Sequence, residues 1–139
     1  MGKVNIYVET SVKGVGKKKG KYIYLLETET SKGLATIHKV VEFDSMTKDM
    51  AELTALVAAV NRLKDKPCEL NIYVTSEMLA NNINHFLKGW ARSNFCKANG
   101  QRLSQWQLWK NFYEKTTIFD MRAYFKQHSY SNWLLKECQ

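Results

Sequence analysis

The first regular pattern in the chain is an alternation. In "VNIYVETS" (4–11) apolar and polar positions take turns among β-forming residues, which predicts a half-buried strand ending near Glu9. "KGVGKKKGK" (13–21) interrupts it with three glycines and five lysines, the composition of a turn and a solvated basic tip. "YIYLLETET" (22–30) and "LATIHKVVEF" (34–43) then predict two more strands around "SKG", where Gly33 supplies the positive φ of a tight turn. Three strands joined this way form an antiparallel meander. In residues 45–66 the period changes: Met50, Leu53, Leu56, Val57, Val60 and Leu63 recur at helical spacing, with Ser45 and Thr47 as cap candidates and Pro67 as the stop. "CELNIYVT" (68–75) is apolar almost throughout, as suits a strand covered on both faces in a parallel position. "SEMLANNINHFLKGW" and "SQWQLWKNFYEK" are predicted helical, "IFDMRAYF" (118–125) a fifth strand, and "SNWLLKECQ" a C-terminal helix. The expected architecture is α/β: a mixed five-stranded sheet, three antiparallel strands and then two parallel additions, with helices on its faces.

Composition narrows the function. A length of 139 residues, 45% hydrophobic and 12% aromatic, suits one domain over 1–139 with a substantial core. The formal charge of +8 and pI near 9.4 favour a polyanionic partner. No run approaches the ~20 apolar residues of a membrane helix, and "MGKVNIYVETS" lacks a signal-peptide pattern, so a cytoplasmic monomer without a membrane partner is expected. Cys68, Cys96 and Cys138 are odd in number and lack CxxC spacing, which argues against a disulfide scaffold or a zinc site. The charge is concentrated. Within residues 86–115, Lys88, Arg92, Lys97, Arg102, Lys110 and Lys115 face the single acid Glu114, interleaved with Trp90, Phe95, Trp106 and Trp109. Cations of this kind hold phosphates; the aromatic rings either stack on bases and sugars or pack a small core of their own.

Several segments resemble the ribonuclease H family in order along the chain. "VNIYVETSVKG" is similar to its first strand, where an acidic residue is followed by a small residue and a serine. "DMAELTALVAAV" resembles its first helix, with a glutamate in an "MEL" context, and "LNIYVTSEMLANNINHFLKGWARSNF" resembles the strand, helix and basic protrusion of the bacterial-type enzymes. "SQWQLWKNF" is similar to the start of the next helix. The resemblance implies a ribonuclease H-like fold with a basic protrusion and a partner bound through its phosphate backbone. It also implies hydrolysis of the RNA strand of RNA–DNA hybrids by two divalent cations, Mg²⁺ or Mn²⁺, about 4 Å apart and held by carboxylates from several elements.

Position by position, the resemblance places Glu9 and Glu52 on the first two carboxylates and as metal ligands, and Thr75 on the third. The fourth falls on Lys136 if the last helix is registered on Asn132, or on Cys138 if His128 is the family's mobile histidine; Glu137 is the carboxylate in that helix. Glu77 is a further candidate ligand, although an acid in a first helical turn is independently favoured by the helix dipole. Glu52 is either a site remnant or a lysine's ion-pair partner, and His128 either a catalytic remnant or a surface loop residue. Lys88, Trp90, Arg92, Lys97 and Arg102 are expected on the nucleic-acid path, together with Ser11 and Lys48. Lys48 and Asp49 stand where the family has small residues that touch 2′-hydroxyls.

A hydroxyl at 75 removes one anion from a site that must concentrate two dications, and Glu9 is one methylene longer than an aspartate where catalytic geometry tolerates only about 0.5 Å of error. Three functions stay open on the sequence. The first is a nucleic-acid-binding domain, for RNA–DNA hybrid or structured RNA, with lost or strongly reduced hydrolysis. The second is an atypical active ribonuclease H using divalent metal, and the third a scaffold or protein-interaction domain.

Overall fold

The computed structural model describes residues 2–139. Its elements are β1 (Gly2–Thr10), β2 (Lys18–Thr30), β3 (Gly33–Met46), α1 (Lys48–Val60), β4 (Cys68–Val74), α2 (Glu77–Asn81), α3 (Leu87–Arg92), α4 (Trp106–Thr116), β5 (Asp120–Phe125) and α5 (Ser131–Glu137). The strands form one mixed sheet in the order β3-β2-β1-β4-β5. β1, β2 and β3 pair antiparallel, while β4 joins β1 and β5 joins β4 in parallel, as the sequence pattern predicts.

Alternation along the strands sorts side chains between the two faces. Ile6 and Val8 of β1, Tyr24 of β2 and Ile72 of β4 meet Leu53, Leu56, Trp109 and Phe112 from α1 and α4 in the larger core. On the other face, Tyr7, Ile23 and Leu25 pack against Leu134 and Cys138 at the end of the chain. Among the described residues, no helix is long and apolar enough to cross a membrane.

Four departures from the sequence reading have identifiable causes. β2 begins at Lys18 rather than near residue 22, because β3 runs on to Met46 and pairs it with Lys18. This shortens the basic tip. It also packs Gly20 so tightly that an added Cβ would lie 2.7 Å from the Ser11 hydroxyl. Ser45 is consequently a strand residue, and Thr47 caps α1 by accepting a 3.1 Å bond from the Met50 amide. α1 stops at Val60, where Arg62 and Leu63 turn back through bonds to the Ala59 and Val60 carbonyls. The helix expected over 76–90 is divided: α2 and α3 are separated by a π-helical turn, Asn82–Phe86. There the Asn84 side chain both donates to the Ala123 carbonyl and accepts from the Ala123 amide, each at 2.8 Å, which ties the irregular turn to β5.

Candidate functional site

The parallel contact between β1 and β4 brings their C-terminal ends together, and the site is built there. Glu9 lies one residue before the end of β1. Glu52 comes from the second turn of α1, and Thr75 stands where the chain leaves β4 for the Ser76 cap of α2. Ser76 accepts from the Leu79 amide at 3.2 Å, so the strand ends in a sharp turn that aims the Thr75 amide and hydroxyl at α1.

Glu52 is fully buried. One of its oxygens accepts the Thr75 amide and the other the Thr75 hydroxyl, the latter at 3.1 Å. The Lys48 ammonium, one turn earlier on α1, lies 3.6 Å from the second oxygen and donates to the Thr75 hydroxyl at 3.2 Å. Burial pushes the Glu52 carboxyl above the usual carboxylate range. The Thr75 bonds and the Lys48 charge act against that rise, and the Glu9 charge adds to it. Glu9, also buried, accepts from the Thr10 amide at 3.0 Å and has the Lys13 ammonium 3.7 Å away. Each carboxylate therefore has its own lysine.

The remaining candidates are distributed unevenly. Glu77 and Glu137 are exposed and are not among the residues that border the cleft. Lys136 is exposed as well, whereas Cys138 is buried and near enough to Glu9 to feel its charge. Burial, reinforced by Glu9, pushes the Cys138 thiol up to about 12, so it is a protonated, neutral group. His128 is not a free loop residue: its ring lies 4.5 Å from that of Tyr7, and its Nδ1 accepts from the Tyr130 amide at 3.2 Å. Burial holds its pKa below the ordinary value, with the Glu27 charge acting in the opposite sense. Ser11 is engaged in the β1–β2 turn, where its hydroxyl accepts from the Lys21 amide at 2.8 Å.

A cleft of about 440 Å³ opens over this site, bordered by Glu9, Lys13, Lys48, Thr75, Lys126 and His128. Hard divalent cations demand several anionic oxygens. The donor set here offers two carboxylates already paired with ammonium groups, one hydroxyl and one protonated thiol. Among the described residues, no group of three or more His, Cys, Asp or Glu side chains is placed to hold a metal ion. The residues present do not fit a pair of Mg²⁺ or Mn²⁺ ions.

The segment expected as a basic protrusion comprises α3, the loop after it and the start of α4. Trp109 is buried with its ring 5.2 Å from that of the half-buried Trp90, and both indoles pack into the larger core rather than a small core of their own. The Arg102 guanidinium lies 4.0 Å over the Trp106 ring and donates to the Asn94 carbonyl at 2.9 Å. Lys88, Arg92 and Lys97 are exposed, and among the described residues none of them is in an ion pair. The sequence reading missed Lys126 and the pairing of Lys13. The available signal was local: Lys13 follows Glu9 by four residues, as Lys48 precedes Glu52 by four.

A five-stranded mixed sheet in the order β3-β2-β1-β4-β5, with Glu9, Glu52 and Thr75 gathered where β1, α1 and β4 adjoin, has the ribonuclease H fold. The sequence model of the RNase H family matches residues 1–130. The chain is 30% identical over 113 residues to a ribonuclease H of Rickettsia canadensis, covering 81% of this chain and 69% of that protein. Other ribonucleases H are 32–38% identical, and over these the chain spans less than half of each relative's length. The chain belongs to the RNase H family. In fold it is similar to LC9-RNase H1, a type 1 RNase H with the type 2 active-site motif, at a TM-score of 0.73 with 15% identity, over 99% of this chain and 69% of that one. It is likewise similar to a foamy viral protease-reverse transcriptase in complex with RNA/DNA hybrid, at a TM-score of 0.67 with 15% identity, over 99% of this chain and 19% of that one.

Proposed function

We propose that residues 1–139 form one RNase H-fold domain, monomeric and cytoplasmic, that binds RNA–DNA hybrid or structured RNA through the phosphate backbone, with hydrolysis lost or strongly reduced. The observation that carries this reading is the pairing of Glu9 and Glu52 with Lys13 and Lys48 in a site whose other members are Thr75 and Cys138. Without two metal ions, neither an attacking water nor a leaving oxygen is stabilised. The free cations of the protrusion need no metal to attract phosphates. A hybrid seated in the foamy viral relative of the fold supports the ligand class.

The test is a labelled RNA–DNA hybrid incubated with Mg²⁺ or Mn²⁺, with binding and cleavage read from the same samples. Binding that weakens with salt, alongside cleavage at background rate, is the expected result. The retained Glu52 favours the second reading, an atypical metal-dependent enzyme. Robust cleavage that disappears in Glu52→Gln would establish that reading instead.

A further inference from the structure

The cleft has reversed its electrostatic character. Three ammonium groups border it, those of Lys13, Lys48 and Lys126. Of the two glutamates, Glu52 is fully enclosed and is not part of the cleft wall, and Glu9 is only 6% exposed. Lys48 keeps 28% of its side chain accessible and Lys13 63%, so each ammonium pairs inward with a carboxylate and still faces the opening. Lys126 has no carboxylate partner among the described residues; its ammonium lies 5.0 Å from the Tyr124 ring and 5.7 Å from the Tyr73 ring. Thr75, whose hydroxyl accepts from Lys48, and Ser131 also border the cleft, as does the apolar Phe125, 53% exposed. Converging cations, hydroxyls and an apolar edge suit a phosphodiester flanked by its sugars.

We propose that this cleft seats a phosphodiester group of a nucleic acid directly on Lys13, Lys48 and Lys126, without a divalent ion. This rests on the reading of the chain as a nucleic-acid-binding domain. The ammonium of Lys48 is the resident cation of the site: it bridges Glu52 and Thr75 from within, where the family's chemistry calls for a metal ion between carboxylates. The protrusion attracts the backbone at large, and the cleft holds one phosphate in register.

Fluorescence anisotropy with a labelled RNA–DNA hybrid tests this, using the full chain in EDTA and in Mg²⁺ across a salt series. Affinity in EDTA is expected to match that in Mg²⁺ within about twofold. The triple variant Lys13→Gln, Lys48→Gln, Lys126→Gln should bind roughly tenfold more weakly, and its salt dependence should flatten by about two to three phosphate contacts. Should loss of Lys48 unfold the protein, the pair Lys13→Gln, Lys126→Gln carries the test, since both side chains are exposed; a flattening of about one to two contacts is then expected. Hybrid binding that these variants leave unchanged, with loss only on reversing the protrusion, overturns the cleft proposal and leaves the nucleic-acid reading intact. A tenfold gain in affinity on adding Mg²⁺ overturns it too. No binding at all at low salt overturns both.

Discussion

Lys13 and Lys48 in the cleft each stand within 4 Å of a glutamate, at 3.7 and 3.6 Å, whereas Lys88, Arg92 and Lys97 in the protrusion share their surroundings with tryptophans and small polar residues. A phosphate approaching that segment meets cations that are in no ion pair among the described residues, although Asp49 borders the same cavity as Lys97 and Asp120 the same cavity as Lys88. In the cleft the same approach is partly offset by the carboxylates behind the ammonium groups. The cleft in turn gathers three lysines around one cavity of about 440 Å³, whereas Lys97 and Lys88 border separate cavities of about 300 and 330 Å³. On the proposed reading, equal kinds of side chain divide the work: unpaired exposed cations supply long-range attraction, and paired cations in a cavity supply position.

The largest expected effect tests the protrusion's half of that division. Reversing Lys88, Arg92 and Lys97 together to glutamate should weaken hybrid binding at low salt by roughly a hundredfold or more, as several phosphate contacts become repulsions. The melting temperature should change little, because all three side chains are exposed. Anisotropy titrations beside thermal melts read both quantities; unaltered affinity would transfer the attraction to the cleft.

Next in size is an attempt to turn the cleft back into a metal site. An aspartate at 75 on its own adds an anion within reach of Lys48, which already donates to the Thr75 hydroxyl at 3.2 Å. Thr75→Asp should therefore form an ion pair and leave divalent binding in the millimolar range or weaker. Adding Lys48→Ala and Cys138→Asp removes the competitor and supplies a further hard oxygen, so calorimetry should then find Mg²⁺ binding tightened by about tenfold or more. Equal tightening by Thr75→Asp alone would show that Lys48 does not hold the cation position.

Stability sharpens the contrast between paired and free lysines. Lys48→Met leaves a fully buried carboxylate without its counter-charge and should cost about 2–3 kcal/mol. Lys88→Met, on an exposed side chain, should stay within about 0.5 kcal/mol. Chemical denaturation of the two variants makes the comparison directly, and equal costs would remove Lys48 from any structural role.

The smallest expected effect comes from a third buried glutamate, on the face covered by α5. Burial pushes the Glu27 carboxyl upward, but hydrogen bonds from Tyr130, Asn5 and Tyr7, aided by the Lys3 charge, outweigh it and hold its pKa below the ordinary value. A carboxylate depressed in the folded state stabilises above its unfolded pKa, and that contribution disappears as pH falls through the folded value. Glu27→Gln should accordingly flatten the acid side of the melting temperature against pH profile. An unchanged acid limb would show that the cluster has no linkage to folding.

Much of the fold was legible because its signals are local. Alternation in residues 4–11 already separates Ile6 and Val8 from Tyr7 and Glu9, and the largely apolar, β-forming stretch of 68–75 marks a central strand. Helix division at Asn82 was not legible, since its cause is a pair of bonds from Asn84 to Ala123, 39 residues away. Of the candidate site, Glu9, Glu52 and Thr75 come together as the resemblance implies, while Glu77 and Glu137 lie on helical surfaces turned elsewhere.

What the sequence determined by itself is the order of strands and helices, the net positive field and the concentration of cations after residue 86, because periodicity and charge are properties of neighbouring residues. The tertiary structure alone decided which cations are free. Lys48 and Lys88 are alike in composition, but whether an ammonium meets a carboxylate is settled over a few ångströms, by a helix that carries Lys48 past the end of β4 and a strand end that presents Thr75 to it. Coulomb attraction depends on distance in space and on the surrounding dielectric. The four-residue spacing of Lys13 from Glu9 and of Lys48 from Glu52 permits those pairs, but burial and the approach of Thr75 are not written along the chain.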